Sequence, residues 1–66
     1  MAMAITKDVD ADLLMTPSEA ARFMKVSVSW LAKARMANEG PPYIRIGRSV
    51  RYRRTALTRW LMALER

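Results

Sequence analysis

Gly40-Pro41-Pro42-Tyr43-Ile44-Arg45-Ile46-Gly47-Arg48-Ser49-Val50-Arg51-Tyr52-Arg53 is the most informative segment of the chain. Two successive prolines end any helix that precedes them. Beyond them, β-branched and aromatic residues alternate with arginine on both sides of a glycine-bearing turn, which predicts a β-hairpin. Its register has two solutions. A two-residue turn at Gly47-Arg48 places Ile44 opposite Arg51. A three-residue turn pairs Ile46 with Val50 and Ile44 with Tyr52, keeps one face apolar, and is therefore preferred. On that register Arg45 lies opposite Arg51, with Arg53 nearby and Arg48 at the tip. Like charges directly across a strand pair destabilise it, so the pattern points to an anion that neutralises them. The alternative is a solvated face on which arginine stems cover apolar surface. Solvation alone would tolerate mixed signs, which favours the anion.

Upstream of the hairpin the pattern is helical. Thr16-Pro17-Ser18-Glu19 is a complete helix start: Thr16 caps, Pro17 suits the first helical position, and Glu19 reaches back to the cap amide. The helix is expected to run to about Met24, with Ala20, Phe23 and Met24 inward. Lys25-Val26 then turns the chain, and Ser27 caps a second helix from Val28 to about Ala37. Leu31, Ala34 and Asn38 share its inner side, flanked by Val28 and Arg35. Ser29, Lys33 and Met36 lie opposite, with Trp30, Ala32 and Ala37 at the edges. Two short helices joined by so short a turn predict a helix-turn-helix.

Downstream, a last helix starts near Thr55, and Leu57, Trp60, Leu61 and Leu64 form an apolar stripe that closes the core. The fold expected is mainly α with a small β-hairpin: a winged helix-turn-helix over residues 13–66, in which a two-stranded wing precedes the C-terminal helix. Residues 1–12 are expected to form a flexible acidic arm. Asp8, Asp10, Asp12 and Glu19 fall at the spacing of a calcium loop. Leu13 stands where that loop needs glycine, Pro17 interrupts it, and Glu19 is engaged in the cap, so no metal site is expected.

Charge narrows the function. Twelve basic residues stand against six acidic ones in a chain of 66. Lys7 is outnumbered by Asp8, Asp10, Asp12 and Glu19 in the first 20 residues, whereas the remainder carries only Glu39 and Glu65 against all the other cations. So basic a domain favours polyanionic partners, nucleic acid above all. With no cysteine and no histidine, thiolate or imidazole metal sites, cysteine nucleophiles and the usual general base are excluded. No catalytic residues, cofactor or metal are expected, and the chain is not expected to be an enzyme. Nor is there an apolar stretch near the roughly 20 residues of a membrane span, or a signal peptide. The expectation is a cytoplasmic, DNA-associated protein with no membrane partner.

Met15-Thr16-Pro17-x-Glu19-Ala20-Ala21, Val26-Ser27, Gly40-Pro41-Pro42-Tyr43-x-x-Ile46-Gly47-Arg48-x-Val50-Arg51-Tyr52 and Leu57-x-x-Trp60-Leu61 together resemble the small excisionase and AlpA-like winged-helix proteins of the MerR superfamily. The likeness covers about residues 13–64. It implies a bacterial or phage-encoded protein whose second helix enters the major groove while the wing meets the adjacent minor groove or backbone. Ser27, Val28, Ser29 and Lys33 would face DNA from that helix. Arg48 would come from the wing tip, and Arg51 and Arg53, with Arg45, would grip phosphates. The resemblance further implies an excisionase, a recombination directionality factor that binds and bends attachment-site DNA beside an integrase. Several copies would bind head to tail. An AlpA-type transcriptional regulator would use the same surface, and a DNA-packaging or replication adaptor shares the fold; a module binding an acidic protein is the alternative of another class. Two positions depart from the pattern: Trp30 stands where a small hydroxyl residue is common, and Ala34 where an aromatic is. Trp30 is expected to pack over the helix flank toward the wing.

Overall fold

The computed structural model describes residues 13–65. The elements run β1 (Leu14–Met15), α1 (Pro17–Met24), α2 (Val28–Met36), β2 (Ile44–Ile46), β3 (Ser49–Arg53) and α3 (Arg54–Leu64). Three helices and a small antiparallel sheet make the mainly α, winged helix-turn-helix architecture that the sequence predicts. The acidic arm and the aspartates of the calcium-like spacing lie outside the described residues.

Local chemistry sets the helix ends. Thr16 Oγ1 accepts from the Glu19 amide at 3.1 Å, and Glu19 Oε1 accepts from the Thr16 amide at 2.9 Å, closing the expected capping box. Ser27 Oγ accepts from the Trp30 amide at 2.9 Å and starts α2. Both helices stop alike, on a non-glycine residue in the left-handed region: Lys25 (φ 62°) after α1 and Asn38 (φ 58°) after α2. The amides of Lys25 and Val26 return to the carbonyls of Arg22 and Ala21, and those of Asn38 and Glu39 to Arg35 and Ala34. These paired bonds are Schellman motifs, which satisfy carbonyls a helix end leaves orphaned. Asn38, expected on the inner side of α2, is therefore outside the helix and exposed.

The core is small, and Tyr52, Leu31 and Leu57 are its largest fully buried side chains. Met15, Ala20, Ala21, Leu31, Tyr52 and Leu57 are buried, with Met24, Val26 and Val50 packed against them. Phe23, expected inward, is 41% exposed. Ala20, Ala21 and Met24 define the buried side of α1, and Phe23 sits about 100° round the helix from their centre. On α3 only Leu57 is fully buried; Trp60 and Leu61 are half-buried and Leu64 is exposed. The apolar stripe thus closes the core at its N-terminal end, and its last turn runs past the layer beneath.

The sheet departs from expectation in two ways. It has three strands in the order β1-β3-β2, because Leu14–Met15 pairs with the free edge of β3, Met15 opposite Tyr52 and Leu14 opposite Arg53. The hairpin also takes the two-residue turn: Ile44 pairs with Arg51, Arg45 with Val50 and Ile46 with Ser49. Gly47 adopts φ 62° while Arg48 stays out of the left-handed region, the pattern of a type II′ turn, whose twist matches that of the strands. The preferred three-residue register assumed that the hairpin buries an apolar face of its own. The buried face belongs instead to β1 and β3, through Met15, Val50 and Tyr52, and edge strand β2 leaves Ile46 exposed.

Candidate nucleic-acid interface

Helix α2 separates its residues by side. Leu31 and Ala34 are buried against the core, and Ser29, Lys33 and Met36 project from the opposite side. Ser27 and Val28 are exposed at its N-terminal end, where a helix presents unpaired amides. The four helix residues expected to face DNA are thus all on the surface. Trp30 corrects the expectation of packing: its side chain is 44% exposed and, with Lys33, Ala37 and Glu39, walls a shallow cleft along the flank of α2. Leu31 and Ala34 take the inner side of α2, and Trp30 lies at its edge.

The corrected register redistributes the wing arginines. Residues paired across antiparallel strands share a face, and faces alternate along a strand. Arg51 and Arg53 therefore stand on one face of the hairpin with Ile44, Ile46 and Ser49. Arg45 stands on the other, beside Val50 and Tyr52. The expected confrontation of Arg45 with Arg51 does not occur, and the repulsion argument built on it falls. Arg48 occupies the turn and is exposed, as are Arg45 and Arg53. Arg51 is half-buried, and its Nη1 donates to the Val50 carbonyl at 2.8 Å.

A cluster that sequence reasoning missed joins the helix to the wing. Arg35 Nη1 donates to the Tyr52 hydroxyl at 2.9 Å. The Arg35 guanidinium also lies 5.8 Å from the centre of the Tyr43 ring, and that of Arg45 lies 6.0 Å from the same ring. Tyr43 and Tyr52 are 6.3 Å apart at a 54° tilt. Cation–π contacts at such distances, with a charged hydrogen bond to a buried hydroxyl, hold α2 and the hairpin in one orientation. Gly40 makes the approach possible: a Cβ there would lie 2.9 Å from Ala34 Cβ. The only available signal was the spacing of Arg35 at the inner edge of the helical wheel, where an arginine needs a partner.

Among the described residues no cluster of three or more metal-ligating side chains occurs, and no helix is long and apolar enough to cross a membrane. Clefts among the described residues are open at the surface; one of about 550 Å³ lies between α1 and α3 beside Phe23, Arg54, Arg59 and Met62.

Residues 14–64 match the family model of a helix-turn-helix domain. No curated protein matches the chain at a significant level. The match takes in every element described above, from β1 through α3. The chain thus belongs to the helix-turn-helix domain family, and is a small DNA-binding domain in which α1 and α2 form the helix-turn-helix and β2–β3 the wing.

Proposed function

We propose that this DNA-binding domain is sequence-specific and acts as an excisionase, a recombination directionality factor of the MerR superfamily that bends attachment-site DNA for an integrase. One observation carries the interface: the Arg35–Tyr52 hydrogen bond with the stacked Tyr43 ties the inner edge of α2 to the wing, so that α2 and the wing engage one duplex in fixed register. Ser27, Val28, Ser29 and Lys33 enter the major groove from α2. The wing reaches the adjacent minor groove with Arg48 foremost. Arg45 on one face and Arg51 and Arg53 on the other allow an inserted wing to meet both phosphate walls of that groove. The register that disperses the arginines is what a wing between two rows of phosphates requires.

The excisionase role is supported by the resemblance of residues 13–64, from the capping box through the Gly-Pro-Pro-Tyr block to Trp60-Leu61. One module this small buries little DNA surface and yields modest specificity, which favours several copies side by side in head-to-tail contact. The site works by binding and deformation, without chemistry.

Two measurements test the proposal. Fluorescence anisotropy on a labelled duplex, titrated with salt, should give a log–log slope of about −4 to −5, corresponding to about five neutralised phosphates. No binding at low salt would mean that the basic wing serves a protein partner. Mapping bound sites in the encoding genome then separates the roles. Clustered direct repeats beside an integrase attachment sequence support the excisionase; isolated sites upstream of promoters replace it with the AlpA-type regulator.

A further inference from the structure

On the outward side of α2 the side chains suited to hydrogen-bonded base reading are scarce. Guanine is read in the major groove chiefly by bidentate arginine or lysine, and adenine by asparagine or glutamine. The one arginine of α2, Arg35, is turned inward onto Tyr52. No asparagine or glutamine occurs between Val28 and Ala37, and Asn38 lies beyond the helix in a left-handed conformation. Only Ser29 and Lys33 remain, and lysine acts as a point charge without a fixed fork.

Apolar surface is abundant on the same side. Val28 is 48% exposed and Met36 82%, whereas Trp30 lies on the opposite flank beside Ala37. Val28 and Met36 flank Ser29 on the outward side of α2, at either end of the helix. The one apolar group that a base pair displays in the major groove is the 5-methyl group of thymine. Apolar side chains that meet it remove water from both partners.

We propose that α2 selects its site by thymine methyl groups, read through Val28 and Met36, so that the preferred duplex carries thymines at two places in the helix-facing groove. This rests on the DNA-binding reading of the same surface. At 1.5 Å per residue, Val28 and Met36 are about 12 Å apart along the helix axis. For a helix laid along the groove that separation corresponds to about three to four base pairs. Lys33, between them, supplies a phosphate or guanine contact.

The experiment uses the whole chain. A high-affinity duplex is selected from a randomised pool, and each thymine in it is then replaced singly by deoxyuridine, which removes the methyl group and leaves the pairing edge intact. Affinity is followed by fluorescence anisotropy. The expected result is a loss of about three- to fivefold per contacted methyl at two steps about three to four base pairs apart, with the salt slope unchanged because no phosphate contact is lost. Met36→Ala, at a surface position that does not support the core, should abolish the thymine–uracil difference at one step. Val28→Ala should abolish it at the other, while Trp30→Ala, on the opposite flank, should leave both differences in place. Equal affinity for thymine and uracil at every position overturns the inference and leaves DNA binding standing. Failure to retain any duplex from the pool overturns both.

Discussion

Replacing Arg35 by methionine tests whether the helix–wing lock holds the domain together. The aliphatic stem is kept, but the Tyr52 hydroxyl loses the donor that reaches it at 2.9 Å, in a residue that is 0% exposed. A buried hydroxyl without its partner costs about 1–3 kcal/mol. The lost contact with the Tyr43 ring, 5.8 Å away, adds about 0.5–1 kcal/mol. Arg35→Met should therefore destabilise the fold by about 1.5–4 kcal/mol, against the roughly 3–5 kcal/mol that a core this small supplies. Tyr52→Phe removes the hydroxyl instead, and the half-buried Arg35 regains water, so the loss is about 1 kcal/mol. The informative variant is the double one. With neither a stranded hydroxyl nor an unmatched donor, Arg35→Met/Tyr52→Phe should be more stable than Arg35→Met alone. Urea unfolding followed by the fluorescence of Trp30 and Trp60 measures all three. Single losses that simply add in the double variant would refute the lock, because additivity means the two side chains do not interact.

Other expectations follow from single positions. Gly40→Ala places a methyl group 2.9 Å from Ala34 Cβ and should cost about 1–3 kcal/mol in a thermal melt, with partial rescue by Ala34→Gly. Lys25→Gly relieves a left-handed backbone at φ 62° and should raise stability by about 0.5–1 kcal/mol, after allowance for the greater freedom of glycine when unfolded. Arg48→Ala, at the exposed turn, should leave the melting temperature unchanged yet reduce the salt slope of DNA binding by about one; an unchanged slope would remove the wing tip from the interface. Trp60→Ala should weaken the fold measurably but less than Leu57→Ala, since Trp60 is half-buried and Leu57 fully so; the reverse order in a denaturant titration would contradict the packing of α3.

Much of the fold was legible because its signals are local. Thr16, Pro17 and Glu19 act within one helical turn, Ser27 caps the next helix through an amide three residues on, and Pro41-Pro42 forbid helix whatever surrounds them. The helix-turn-helix and the existence of a hairpin follow from these. The exposure of Ser29, Lys33 and Met36 follows equally from helical period once Leu31 is placed inside. Phe23 shows where that logic stops: aromatic size argued for burial, but the small residues Ala20 and Ala21 let α1 approach its neighbours more closely on another side.

The order of the elements and their caps could be read in advance because they are set by residues within a few positions of one another, and the basic character of the second half is a matter of composition alone. The sheet and the distribution of charge on it depend instead on packing between distant segments. Leu14–Met15 becomes a strand because β3 offers it an edge about 40 residues away, and two residues carry too little pattern to announce a pairing of that kind. The hairpin register turned on which strand buries Tyr52, a question of what lies beneath the sheet, and a slip of one residue there moves Arg45 to the opposite face from Arg51. The partnership of Arg35 with Tyr43 and Tyr52 is likewise a contact between elements. Side chains distant in sequence meet only after packing has set the angle between helix and wing.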